Sequence, residues 1–414
     1  MGMTRRAFAA GVLALGAAAC APAPTRGRAR VVVAGGGFAG SACALALRRL
    51  DPRLDVTLVD PDARYVTCPM SSAALVGWRR LDALTLGRDG LRRAGVRYVH
   101  DAVVAIDAER RRVRLRGGGA LGYERLVVAP GIRLLWGTPA GYDEAAAERM
   151  PHAWVAGAQT TRLARRLQAL RDGGTVAISV PAGLMRCPPG PYERASVIAA
   201  YLKRSKPRSK VLIFDANNHF PQQDRFTAYW QAHYAGLIEW IALVDGGAVE
   251  AVDAATSTLR TPRGAQRVDV ANVIPAQAPG ELALRAGLAR GHGWCAVDPA
   301  SFESAEVERV HVIGDACIAG AMPKAASAAV SQAHACAQAI VARLGGAAPP
   351  APRLDSVCYA QLARGEALSI HARFAVADGT IRALAASDSA LGPAREADAA
   401  ERWYRQIRAD AFAA

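Results

Sequence analysis

Apolar runs and turn clusters alternate along this chain in the order strand, helix, strand. Ala29-Arg30-Val31-Val32-Val33-Ala34 is a β-branched run without polar alternation, the pattern of a parallel strand covered on both faces. It runs through Gly35-Gly36-Gly37-Phe38-Ala39-Gly40 into a helix predicted over 41–50, and a second apolar run, 56–59, ends at Asp60. The stretch 174–180 reads as another strand, preceded by an amphipathic helix over 160–171. A further strand over 310–313 and a small-residue helix over 325–335 come later. Alternation of this kind predicts an α/β fold with two doubly wound, Rossmann-like domains, plus a small C-terminal α+β domain. The expected divisions are 1–27 as signal and linker, 28–150 and 276–345 as one domain in two parts, 151–275 as an inserted second domain, and 346–414 as the C-terminal domain. The Gly-, Ala- and Pro-rich stretch 345–352 is the linker into the last of these.

The first turn carries chemistry. Gly35, Gly37 and Gly40 form G-x-G-x-x-G in its required strand–turn–helix setting. Gly35 allows the tight turn, Gly37 the approach of a pyrophosphate, and Gly40 the packing of helix on strand. The free N–H groups and dipole of the helix N-terminus favour an anion there. Asp60 lies twenty residues after Gly40, the spacing of a carboxylate that accepts ribose hydroxyls. Further on, the stretch 123–131, ending Val127-Val128-Ala129-Pro130-Gly131, resembles a strand and turn of the two-dinucleotide flavoproteins. Val310-His311-Val312-Ile313-Gly314-Asp315-Ala316 resembles their second flavin motif, which gives Asp315 the ribityl chain and Gly314 the close backbone approach. The resemblance implies FAD, held by Ala129, Gly131, Gly314 and Asp315 with the first fingerprint.

Composition narrows the class. A hydrophobic share of 51%, with 39 Gly and 23 Pro, describes a folded globular protein. The net charge of +15 suits steering of an acidic partner or an anionic substrate, or reflects general arginine usage. Basic residues are scattered and aromatics make up 6%, so no nucleic-acid partner is expected. Arg5 and Arg6 precede a short uncharged apolar run, the twin-arginine export pattern, so a periplasmic location is expected. Ala17-Ala18-Ala19-Cys20 reads either as a weak lipobox or as a small-residue cleavage site, so a membrane enters only if Cys20 is lipidated. None of the eight cysteines sits in a C-x-x-C pair, and no metal site is expected.

The strand over 174–180 should open a second nucleotide site, which needs glycine N–H groups to cradle phosphates. The strand leads instead into a proline-rich loop with Arg186-Cys187-Pro188-Pro189-Gly190-Pro191-Tyr192-Glu193-Arg194, and proline lacks that N–H. A nicotinamide cofactor is therefore disfavoured. This run closely resembles the signature of flavocytochrome c sulfide dehydrogenase flavoprotein subunits. Tyr65-Val66-Thr67-Cys68, Gly293-Trp294-Cys295-Ala296-Val297-Asp298-Pro299, Met322-Pro323-Lys324 and the tail around Ser356-Val357-Cys358-Tyr359 extend the likeness over nearly the whole chain beyond the leader.

The resemblance implies oxidation of sulfide, or of a related reduced sulfur compound, through a cysteine disulfide and persulfide beside the flavin. Cys187 and Cys336 are the pair expected from it, and Cys68 is the expected point of covalent flavin attachment. It suggests Glu193 as the acid/base for the thiol proton, which needs a pKa raised by burial; an ion pair with Arg194 or a nearby arginine is the other reading. Lys324 either neutralises reduced flavin or polysulfide, or caps a turn. Cys43, Cys295, Cys317 and Cys358 read as buried small hydrophobes, with Cys317 near the flavin pocket through its closeness to Asp315. No C-x-x-C-H occurs, so no haem is expected on this chain and a separate c-type cytochrome subunit is the implied electron acceptor. The alternatives are a sulfide:quinone reductase, against which the charged segment 384–414 argues, and a non-catalytic flavin-carrying subunit.

Overall fold

The computed structural model describes residues 28–290, 293–387 and 392–414. The twin-arginine segment and Cys20 lie outside the described residues. The first apolar runs form a five-stranded parallel sheet in the order Val310–Val312, Arg125–Val128, Arg30–Ala34, Asp55–Asp60, Arg97–His100. Strand Val310–Val312 returns from far along the chain to close one edge, so the flavin domain is split, as its sequence implies. The inserted unit has its own four-stranded parallel sheet, Ile238–Ile241, Lys210–Asp215, Thr175–Val180, Val270–Val273. Both sheets have helices on their faces, which is why their strands are nearly all apolar.

The two chain crossings are tied together, since Ile132–Leu134 pairs antiparallel with Gln277–Pro279. Packing of the inserted unit begins somewhat before residue 151. Tyr142, Ala146 and Met150 are buried with Phe214, Ile241 and Val273 of the inserted sheet, and the Tyr142 hydroxyl donates to the Met150 carbonyl at 2.7 Å.

Helix Phe38–Leu50 starts three residues earlier than the predicted span, because the glycine-rich loop itself forms its first turn. No side chain caps it at Gly37, so its first N–H groups face outward. The third glycine is steric: a Cβ on Gly40 would lie 1.9 Å from the Gly35 carbonyl oxygen. Gly40→Ala is therefore expected to push the helix off the strand, lowering unfolding free energy by about 1–3 kcal/mol and cutting flavin retention. Denaturant unfolding and the flavin-to-protein absorbance ratio of the purified variant check this.

The C-terminal unit is a three-stranded antiparallel sheet, Leu354–Ala363, Glu366–Ala377, Thr380–Ser387, followed by helix Pro393–Phe412. Its first strand lies across both helix Gly190–Ser205 of the inserted unit and helix Ala326–Leu344 of the flavin domain. The last helix turns Tyr404, Ile407, Ala411 and Phe412 into the flavin-domain core. Phe412 packs edge-on to Phe38 at 5.3 Å and stacks on Tyr65 at 5.4 Å, between ring centroids. No helix among the described residues is long and apolar enough to cross a membrane.

Candidate active site

One cavity lies where the three units meet. Gly37, Ala129, Gly131, Gly314 and Asp315 of the flavin domain line it, with Cys68, Cys187, Glu193 and Cys358. The glycine-rich loop, the second flavin motif and the redox loop therefore open onto one space.

On the flavin-domain side the residues fit a dinucleotide. Gly35 takes φ +107°, and a Cβ there would lie 2.2 Å from the Ala129 carbonyl oxygen. Gly314 is in left-handed conformation, with Ala39 of the first helix close by. The Asp315 carboxyl opens onto the cavity with no hydrogen-bond partner among the described residues, and burial raises its pKa against the pull of Arg186 and Lys324. An unpartnered carboxyl beside an uncapped helix end is what a polyhydroxyl chain and a pyrophosphate require.

Asp60 is buried and braces the loop. Its oxygens accept the Gly36 N–H at 2.5 Å, the Asp62 N–H at 2.9 Å and the Arg88 guanidinium at 2.9 Å. Arg88 also donates to the Gly36 carbonyl at 2.5 Å. Three acceptor positions are used, which leaves an ionised carboxylate capacity for one more donor. Arg88 stands in no motif, and only the fold brings it under the loop.

The redox loop is held tightly. Cys187 sits at φ +53°, a conformation costly for a residue with a side chain. Two backbone hydrogen bonds fix it, from its N–H to the Lys324 carbonyl at 2.7 Å and from the Gly190 N–H to its carbonyl at 2.8 Å. Gly190 is glycine for a local reason: a Cβ there would lie 3.0 Å from the Cys187 sulfur and 2.8 Å from the Trp154 ring. Burial raises the Cys187 thiol pKa well above its usual value; Glu193, Cys358 and Cys68 add to the rise, and Arg186 opposes it.

Glu193 stands in the first turn of helix Gly190–Ser205. Its carboxyl opens onto the cavity deep inside the protein, and burial pushes its pKa up to about 7, against a backbone hydrogen bond from Gln361 and the charge of Arg194. Of the two readings of this residue, the ion pair fares worse. Arg194 directs its guanidinium to the His152 and Ala153 carbonyls and to the Asn272 side chain, at 2.8–3.0 Å.

Two expected positions are corrected. Cys336 is not at the cavity. The first turn of helix Ala326–Leu344 reaches it through Ala326 and Ala329, whereas Cys336 lies two turns further on, roughly 10 Å along the axis. There it is fully buried, facing the Cys43 thiol of helix Phe38–Leu50. Two other cysteines share the cavity with Cys187, Cys68 and Cys358; Cys358 comes from strand Leu354–Ala363, near the hydroxyls of Ser327 at 3.6 Å and Ser356 at 3.9 Å. Lys324 does not line the cavity; of its two readings the turn cap is the one its contacts fit, with the turn buried and not at the surface. Its ammonium donates to the Asp315 and Cys317 carbonyls at 2.9 and 2.8 Å and sits 3.7 Å from the Trp294 ring centroid. Cys317 faces a different recess on the far side of the redox loop, with Pro188 and Lys324. Cys68 does lie at the cavity, its thiol directed at the Trp154 carbonyl at 3.8 Å.

Aromatic side chains crowd the second nucleotide position, beside the recess lined by Val180, Gly183, Asn217 and His219. Asp215 ends the strand next to Thr175–Val180 and is fully buried, accepting the Tyr192 hydroxyl at 2.6 Å and the Trp240 indole N–H at 2.9 Å. Tyr192 stacks on Phe220 at 3.7 Å between ring centroids. Aromatic side chains thus occupy the end of the sheet where a nucleotide would bind.

Comparison with known proteins agrees with this layout. Residues 29–150 match the family described as pyridine nucleotide-disulphide oxidoreductase. Residues 160–275 match the central part of the sulfide dehydrogenase [flavocytochrome c] flavoprotein chain, and residues 350–412 match the flavocytochrome c sulphide dehydrogenase flavin-binding family. A sulfide dehydrogenase [flavocytochrome c] flavoprotein chain from Chlorobaculum thiosulfatiphilum is 57% identical over 47 residues, covering 11% of this chain and 98% of that sequence. A sulfide-quinone reductase from Aquifex aeolicus is 30% identical over 108 residues, 26% of this chain and 25% of that protein. The crystal structure of the sulfide:quinone oxidoreductase from Aquifex aeolicus superposes with a TM-score of 0.76 at 18% identity, over 93% of each chain, a likeness of fold.

Proposed function

Because this chain belongs to the flavocytochrome c sulfide dehydrogenase flavoprotein family, we propose that it oxidises sulfide, or a related reduced sulfur compound, through a disulfide of Cys187 and Cys358. The observation that carries the reading is that Cys187, Cys358 and Glu193, from distant parts of the chain, line one cavity together with Asp315 and Gly37 of the glycine-rich loop; both cysteines are free thiols in this structure.

Hydrosulfide attacks one sulfur of the pair. A new S–S bond forms, the old one breaks, and its electron pair stays on the released cysteine as thiolate, so the products are one persulfide and one thiolate. A second hydrosulfide takes the outer sulfur away as a disulfide ion and leaves both cysteines reduced; FAD held by Gly37, Gly314 and Asp315 would supply a two-electron acceptor for that pair and a route for releasing the electrons singly. The chain's own residues set the geometry and move the proton. The strained, doubly anchored Cys187 is held at a fixed place over the helix N-terminus. Glu193, with a pKa near neutrality, takes the proton of the incoming sulfur and returns it as the thiol state is restored. In this proposal Cys68, which lines the cavity, carries a thioether link to the flavin and takes no part in turnover. The electron acceptor in this proposal is a separate c-type cytochrome, and the compartment is the periplasm.

The quinone reading has less support. A membrane-binding C-terminal helix needs a free apolar face, while helix Pro393–Phe412 buries its apolar residues against the flavin domain. The test is an anaerobic titration of the purified holoprotein, following flavin absorbance. Sulfide is expected to bleach the flavin, whereas NADH leaves it oxidised because the proline-rich loop after Thr175–Val180 offers no glycine N–H cradle for its phosphates. Bleaching by NADH, or none by sulfide, overturns the proposal, and reduction of a short-chain quinone faster than of cytochrome c favours its rival.

A further inference from the structure

The end of the flavin domain opposite its glycine-rich loop carries a cluster of arginines that the proposed reaction does not use. Strand Arg30–Ala34 runs from this end to the loop, a length of about 15 Å. A cleft here is lined by Arg30, Arg110, Arg111 and Arg112, with Glu124 as the one acidic residue. Arg30 takes Glu124 at 3.5 Å and lies against Gly122, and Arg110 takes Asp107 at 3.2 Å. Among the described residues no hydrogen bond or ion pair holds the guanidiniums of Arg111, Arg112 and Arg114. The register explains why. Arg112 and Arg114 project from the exposed face of strand Arg112–Leu115, and opposite them stand the small residues Gly122, Ala120 and Ala105. Asp107, across from Arg112, is the acidic residue opposite this row and is already engaged by Arg110. Across residues 103–122 five arginines stand against two carboxylates, Asp107 and Glu109.

We propose that this arginine face docks the protein on an anionic phospholipid surface. Arg112 and Arg114 are spaced by about 7 Å along their strand, an open row that meets several phosphates at once, and guanidinium N–H groups donate to phosphate oxygens in bidentate fashion. A lipid surface is the occupant because of where the face lies. Arg28 is exposed beside it, and Cys20, the lipobox candidate, stands eight residues earlier, a reach of at most about 30 Å. A lipid on Cys20 would hold this end of the molecule at the bilayer, and a basic patch beside a lipid chain is the second signal that makes such anchoring stable. The attraction acts within a Debye length of the headgroups, which is the range that such a tether secures. Docked in this way, the protein keeps the flavin cavity, at the other end of the sheet, away from the contact. The inference does not depend on which cysteines form the redox pair.

The test uses full-chain holoprotein carrying Cys20→Ser, which removes any lipid anchor, sedimented with vesicles of phosphatidylcholine alone or mixed with phosphatidylglycerol. Binding is expected with the anionic vesicles and should weaken as salt is raised. Combining Arg110→Gln, Arg111→Gln and Arg112→Gln should lower the vesicle affinity about a hundredfold, and the corresponding lysine triple should keep most of it. A control triple, Arg165→Gln, Arg204→Gln and Arg364→Gln, neutralises exposed arginines elsewhere and should cost less than about threefold. Flavin bleaching by sulfide and the thermal midpoint should match in all these variants, since the replaced side chains are exposed and their one ion pair is a surface pair. Equal binding to the two kinds of vesicle, or equal losses in the two glutamine triples, overturns the proposal. Displacement from the vesicles by inorganic phosphate at constant ionic strength does so as well, because it marks a pocket for a free anion. Vesicle binding that survives the Arg110–Arg112 glutamine triple, while capture of a c-type cytochrome is lost, makes the face a protein interface instead.

Discussion

Replacing Cys358 with serine is expected to slow flavin reduction by sulfide by about a thousandfold or more, and replacing Cys187 should do the same. Neither variant retains a disulfide for hydrosulfide to open. Because the two sulfurs act as one group, the double variant should be no slower than either single one. Cys336→Ala is the control that separates this pair from the one the chain suggests at first sight. Its side chain is fully buried against Cys43, so truncation is expected to lower unfolding free energy by about 1 kcal/mol and leave the reduction rate within about twofold. Anaerobic stopped-flow absorbance measures the rates. Non-reducing peptide mapping of wild type should show the Cys187 and Cys358 peptides joined. A Cys336 variant that loses sulfide reduction while Cys358→Ser keeps it would make Cys187 and Cys336 the pair.

The flavin half of this site is legible in the chain because its chemistry is local. Gly35, Gly37 and Gly40 sit within six residues, and strand, loop, helix and Asp60 are read in one pass. Gly314 and Asp315 form an equally compact motif. The redox pair is half legible for the opposite reason. Cys187 lies in a run whose prolines announce a fixed loop, but its partner is set by which element crosses the loop, and that is a property of packing. Cys336 attracts attention because its helix comes after the flavin motif; helical rise carries it away from the cavity, so only the first turn of that helix counts. Cys358 reads as a core residue, yet alternation along its strand puts Ser356 and Cys358 on one face, toward Ser327. A single hydroxyl, Ser356, stands at that period in the sequence; the second, Ser327, is brought up by the packing of another helix. Arg88 and Arg186 lack any such sign, since a buried arginine looks in sequence like the many exposed ones of this arginine-rich chain.

Glu193→Gln is expected to give two effects of opposite sign, and their combination distinguishes a proton-handling carboxyl from a merely structural one. The folded-state pKa of about 7 means that Glu193 is protonated on the acid side of neutrality and ionised on the alkaline side. Only the ionised form accepts a proton from incoming sulfide, so the wild-type reduction rate should rise with pH through about 7. Glutamine removes that limb and lowers the alkaline plateau by about a hundredfold. Hydrosulfide titrates in the same range, so the profile of the glutamine variant serves as the baseline that carries the substrate's own ionisation. At the same time the carboxylate raises the Cys187 thiol pKa by its charge. Glutamine therefore makes the thiolate easier to form, and iodoacetamide should modify Cys187 of the reduced variant severalfold faster at pH 8 than it modifies wild type. Stability tracks the same titration. A carboxyl whose folded pKa is raised contributes stability in full below its unfolded value and loses it as pH rises through about 7. The difference in thermal midpoint between wild type and Glu193→Gln should accordingly move in favour of the variant between pH 5 and pH 8. If both the turnover and the alkylation rates fall together, with no change in pH profile, Glu193 is a packing residue and the proton is handled elsewhere.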